Sequence, residues 1–100
     1  MKAGLMRECR TADTLYIYGA GAVADIFYIY LKQKGMQDKV RAFVVTKLGG
    51  NVPEKFGLKV VELAGKAEAL KKALVVVAVQ EGLQDEIREV LRENGISGYC

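Results

Sequence analysis

Six consecutive residues carry the best-defined chemistry in this 100-residue chain: Gly19-Ala20-Gly21-Ala22-Val23-Ala24, a G-x-G-x-x-A pattern. Its meaning depends on a strand before it and a helix after it. In that setting Gly19 permits a tight turn out of the strand. Gly21 lets a phosphate approach the backbone without meeting a Cβ, and Ala24 lets the helix pack closely on the sheet. The unpaired N–H groups of the first helical turn then face an anion at the positive end of the helix dipole. Gly19, Ala20, Gly21, Ala22 and Val23 are therefore candidate ligand contacts. The competing explanation is packing alone, because any tight strand–helix turn favours small residues. Asp25, one residue past the motif, stands where it either caps the free N–H groups or repels a pyrophosphate.

Two further segments belong with this turn. A dinucleotide site usually places an Asp or Glu roughly 20 residues after the glycines to hold the ribose hydroxyls. That region reads Phe43-Val44-Val45-Thr46-Lys47, without an acid. NAD is thereby disfavoured, and Thr46 and Lys47 become candidate phosphate contacts, with a nucleotide sugar or NADP as the ligands to consider. A solvated lysine in a loop is the plainer account of Lys47. Gln80, Glu81 and Gly82 follow the apolar run Leu74–Val79 and should share the crevice edge with the glycines, which makes Gln80 a further candidate contact. Tyr18 is placed either to stack on a base or to fill the core.

Absent residues exclude much else. There is no His and the only Ser is Ser97, so a Ser–His–Asp arrangement cannot be built. Cys9 and Cys100 fall outside any CxxC or metal-ligand spacing. Two free thiols in a reducing cytoplasm are expected, with a terminal disulfide as the alternative. Glu81 has no evident acid–base partner. No catalytic residue and no metal ligand are assigned.

The elements that must hold the motif follow from apolar patterning. Leu15–Tyr18 reads as a strand, and Ala22–Lys34 as a helix with Val23, Ile26, Phe27, Tyr30 and Leu31 on a stripe, stopped by Gly35. Val40–Thr46 is a second strand. Leu48–Pro53 is a loop, and Leu58–Leu63 a small strand. Glu62–Lys72 is a short helix weakened by Gly65. Leu74–Val79 is a buried strand, Leu83–Asn94 an amphipathic helix ended by Gly95, and Ile96–Cys100 a short last strand. Continuous apolar runs indicate strands covered on both faces. Residues 1–13 show no period and read as a loose leader, leaving 14–100 as one small domain. The order predicts an α/β fold, a doubly wound and mainly parallel sheet of about four to five strands, with its crevice at the carboxyl ends.

Size and charge bound the partners. Residues 1–50 carry 8 basic and 4 acidic groups, and residues 51–100 carry 7 and 8. This mild surplus beside the motif suits a phosphate and falls short of a duplex-binding face, so no nucleic acid partner is expected. The longest apolar run, Ala73–Val79, is far below a membrane span, and a cytoplasmic location is expected.

The ordered set Leu15-Tyr16-Ile17-Tyr18-Gly19-Ala20-Gly21, Phe43-Val44-Val45-Thr46, Gly57–Leu63, Val75–Val79 and an Ile87/Leu91 helix ending in Asn94-Gly95 resembles one family over about residues 14–99. It is similar to the Rossmann-like N-terminal or accessory domains of bacterial surface-polysaccharide enzymes. These include glycosyltransferases and nucleotide-sugar acyltransferases. The resemblance implies a non-catalytic module of a longer polypeptide that binds a nucleotide sugar or positions a catalytic domain. Gly19 and Gly21 would be its phosphate-side glycines. The acyltransferase branch commonly has acids at the end of its second strand and a Gly and His after the turn. This chain has Thr46-Lys47 and Ala22-Val23 there, which leaves the glycosyltransferase branch closer. An NAD(P)-binding half of an oxidoreductase, and a ligand-free scaffold or homodimerisation domain, are the alternatives.

Overall fold

The computed structural model describes residues 3–100. Its elements are α1 (Ala3–Thr11), β1 (Leu15–Tyr18), α2 (Ala22–Gln33), β2 (Val40–Val45), β3 (Glu54–Lys55), β4 (Leu58–Glu62), α3 (Ala67–Lys71), β5 (Leu74–Val77) and α4 (Glu81–Glu93). The sheet order is β3-β4-β2-β1-β5, parallel throughout except for the β3–β4 hairpin. The chain winds from β1 out to β2 and β4, then crosses back to β5 on the other side of β1. The reversal between β1 and β5 is the switch point at which doubly wound sheets bind ligands. This is a Rossmann-like α/β arrangement.

Both sheet faces are covered, which explains why the strands are apolar without alternation. Leu15, Ile17, Phe43, Val45 and Val76 pack toward α2 with Ala24, Phe27, Tyr28 and Leu31. Tyr18, Val44, Val75 and Val77 pack in the second cluster, with Leu70 of α3 and Leu91 of α4. Gly35 (φ 73°) and Gly95 (φ 76°) end α2 and α4 in the left-handed conformation. In each case the next residue's N–H turns back onto the helix: Met36 to the Leu31 carbonyl and Ile96 to that of Leu91. The same residues, all buried, close the apolar contact that accompanies such ends.

Five expectations change. The buried face of α2 is Ala24, Phe27, Tyr28 and Leu31, so Phe27 and Leu31 of the expected stripe are core but Val23 and Ile26 are exposed, because the sheet packs against the side of the helix that carries the small Ala24. Residues 3–11 are a helix rather than a loose leader. Leu5, Cys9 and Ala12 recur at i, i+4 and i+7, a stripe hidden among Arg7, Glu8 and Arg10, and Cys9 is fully buried against the α2 cluster. Residues 1 and 2 of the expected leader lie outside the described residues. The Glu62–Lys72 helix is divided, with a 3₁₀ turn at Leu63–Gly65 before α3. Ile96–Cys100 forms a single parallel bridge, Tyr99 to Val75, and its backbone covers the outer edge of β5. Finally, β3 was not foreseen, because two charged residues carry no periodic signal. Phe56 and Gly57, both at positive φ, close its two-residue turn as a type I′ hairpin requires. Among the described residues, no helix is long and apolar enough to cross a membrane.

Candidate functional site

The glycine turn sits at the sheet's carboxyl edge, where β1 adjoins the edge strand β5. Its two glycines have different physical causes. Gly19 has φ 131°, and a Cβ there would drive into the Ala78 carbonyl oxygen. Its N–H bonds the Val44 carbonyl at 2.7 Å, while the Ala78 N–H bonds the Tyr18 carbonyl at 2.9 Å. Gly19 is thus required by the packing of β5 against β1. Gly21 is not: its φ of −99° suits any residue, and a Cβ would point into open space.

Gly21 is also the N-cap of α2, and no side chain caps that helix. The first intrahelical acceptor is the Gly21 carbonyl, which receives the Asp25 N–H at 3.1 Å. The preceding amides, those of Ala22, Val23 and Ala24, are the orphan donors that every helix start leaves. A cavity of about 270 Å³ opens here, lined by Gly21, Ala22 and Val23 on one side and by Ala78, Val79, Gln80 and Leu83 on the other. Gln80 and the α2 start are therefore brought together across the switch point, as expected. Ala20 is half-buried beside them.

Thr46 and Lys47 lie on the opposite flank of the turn, both exposed, and do not line this cavity. Thr46 shares a hydrogen bond of 2.5 Å with the Tyr18 hydroxyl. Tyr18 itself is 2% exposed, which makes it a core residue and removes it as a stacking platform. An acid does stand beside the end of β2, but it comes from the neighbouring strand. Glu62 is in register with Val45, and its carboxylate accepts the Leu48 N–H at 2.7 Å.

The residue that sequence reasoning missed is Lys55. The β3–β4 hairpin folds over α2 with Phe56 stacked on Tyr28, ring centroids 4.5 Å apart. This anchors Lys55 so that its ammonium donates to the Ala20 carbonyl and lies 2.5 Å from Asp25 Oδ1. Asp25 thereby neither caps α2 nor faces an anion; its charge is neutralised from below. The contact is ionic rather than a directed hydrogen bond, because Asp25 Oδ1 accepts none. Replacing Lys55 with Met should lower stability by about 1–2 kcal/mol, the range of a charged contact discounted for solvent exposure. Urea unfolding of K55M, D25N and the double variant checks this. Equal losses that simply add would show the pair to be uncoupled.

Both cysteines are free thiols. Cys100, distant in sequence, packs against the cluster that holds Cys9. Burial, reinforced by the Glu8 carboxylate, pushes the Cys100 thiol up to about 12, and burial likewise raises Cys9. The folded chain keeps protons that the unfolded chain loses above about pH 9. Stability should therefore fall as pH rises from about 9 toward 12. Urea midpoints at pH 8, 9.5 and 11 measure it, and Cys100→Ser should flatten the decline. An identical decline in that variant would assign it elsewhere.

No protein-family model matches the chain, and no curated protein matches its sequence. The class defined by the fold is a small doubly wound α/β domain with an uncapped helix start at its switch point.

Proposed function

We propose that this chain is a non-catalytic, Rossmann-like module that binds the phosphate of a nucleotide or nucleotide sugar at Gly19–Val23, as one domain of a longer glycosyltransferase-type protein. The observation that carries the reading is Gly21. Neither its backbone angles nor its surroundings require glycine, yet it stands beside uncapped amides in a cavity at the switch point. A ligand's close approach supplies the reason that internal packing does not. The Lys55–Asp25 pair supports it, since the one acid in the first turn of α2 is neutralised. Gln80, which lines the cavity, would fix the ligand's orientation by hydrogen bonding.

A thermal-shift panel of NADH, NADPH, UDP-sugars and CDP-sugars tests this. A ligand at tenfold its Kd should stabilise by about 1.4 kcal/mol, a rise in Tm of several degrees for a domain of this size. A response to NADPH alone would move the assignment to an oxidoreductase half, with exposed Lys47 as the 2′-phosphate contact. The scaffold reading also has an observation in its favour: Val23, Ile26 and Ile29 leave an apolar stripe exposed on α2. Silence across the panel, with concentration-dependent dimerisation, would select it.

A further inference from the structure

Phe56 stands at a position that turn chemistry does not favour for it. Its φ of 51° lies in the left-handed region, which bulky L residues rarely adopt. The first place of a type I′ turn normally goes to Asn, Asp or Gly. The Phe56 ring is half-exposed and stacks on Tyr28 of α2, with Phe43 of β2 at 6.2 Å between centroids. The ring therefore supplies what the turn residue by itself does not: it clasps the hairpin to α2. The preceding residue, Lys55, has its ammonium 5.9 Å from the Phe43 ring centroid and ends on the Ala20 carbonyl and Asp25. Two strands separate β3 from β1 in the sheet, so no strand ladder joins the hairpin to the turn that leaves β1. Among the described residues, Lys55 is the hydrogen-bonded link between them.

We propose that the β3–β4 hairpin is a latch on the glycine turn, closed by the Phe56 ring and engaged through Lys55. The peptide between Ala20 and Gly21 is trans, so its carbonyl and its N–H point to opposite sides. Holding the Ala20 carbonyl at the hairpin turns the Gly21 N–H away from it. The same ammonium holds Asp25, whose N–H closes the first turn of α2 on the Gly21 carbonyl at 3.1 Å. One cation thus fixes the chain on both sides of Gly21. With the hairpin swung off α2, the turn loses both tethers while the strand beneath stays paired, because β1 keeps its ladders to β2 and β5. The hairpin is the two-state element, and its position is read at the turn. The inference concerns the chain's own conformation and holds with or without a ligand at the turn.

Hydrogen exchange of single amides, followed by NMR in deuterated water, tests the latch. The Val60 N–H, bonded to the Pro53 carbonyl at 2.9 Å, reports on the hairpin, and the Asp25 N–H reports on the turn. The Leu83 N–H, bonded to the Gln80 carbonyl at 2.9 Å at the start of α4, is the control. Phe56→Asn suits the backbone of the turn and removes the ring. It should speed exchange about tenfold at both Val60 and Asp25 and leave Leu83 unchanged. Phe56→Tyr keeps the stack and should leave all three rates as they are. Lys55→Met should speed Asp25 by a similar factor. In the double variant, Phe56→Asn should add nothing further at Asp25, because the link is already cut. Unchanged or slower exchange at Val60 in Phe56→Asn overturns the latch, since turn geometry alone would then hold the hairpin. A faster Val60 beside an unchanged Asp25 overturns it too, as does a uniform rise at all three amides, which marks a general loss of stability. Full addition of the two effects at Asp25 overturns the role of Lys55 as the link.

Discussion

Gly19→Ala is expected to destabilise the domain by about 3–5 kcal/mol, a large share of the stability of a small protein. Two costs combine. The backbone at φ 131° is one that L side chains rarely adopt, worth about 1–3 kcal/mol. The added methyl group also meets the Ala78 carbonyl and lies 3.1 Å from Val79 Cγ1, an overpacking cost of about 1–3 kcal/mol. The backbone has no freedom to yield, because hydrogen bonds to Val44 on one side and from Ala78 to Tyr18 on the other pin it to β2 and β5. Urea unfolding measures the loss as a lower midpoint at unchanged slope. A change under 0.5 kcal/mol would mean that the β1–β5 contact can widen to admit a side chain.

Gly21→Val, two residues along, should give the opposite pair of results. Its extended backbone accommodates a β-branched residue and its Cβ direction is empty, so stability should fall by only about 1 kcal/mol, the cost of a poorer N-cap residue. Affinity for the phosphate ligand found by thermal shift should fall about a hundredfold or more. The branched side chain would hold the phosphate away from the amides of Ala22 and Val23, and charge-assisted hydrogen bonds are lost together. Calorimetry on the native and variant chains reads this directly. Unchanged affinity would place the phosphate elsewhere and leave the turn an architectural role. The two glycines thus divide the two explanations of the motif. Packing accounts for Gly19, and the Gly21 variant decides whether ligand approach accounts for Gly21.

Much of the fold was legible because it is written in local pattern. β1, α2, β2 and α4 stand within two residues of their expected bounds. Apolar runs, a 3.6-residue stripe and glycine stops are properties of neighbouring residues. α1 was not read, because nine residues make a marginal helix in isolation and only docking against α2 and the sheet stabilises it. The hairpin strand β3 was missed for a related reason: its two charged residues pair only because the Phe56-Gly57 turn folds them back on β4.

By itself the sequence determined the α/β class, the strand–turn–helix setting of the glycines, the absence of an acid at the end of β2 and the closeness of Gln80 to the turn. Only the tertiary structure decided that Tyr18 is core, that Lys55 neutralises Asp25 from 30 residues away along the chain, and that Arg7 and Arg88 from opposite ends of the sequence line one cavity. Periodicity reports which face of an element is buried. Which distant side chains then meet depends on strand order and crossover direction, and these are settled only when the whole sheet assembles.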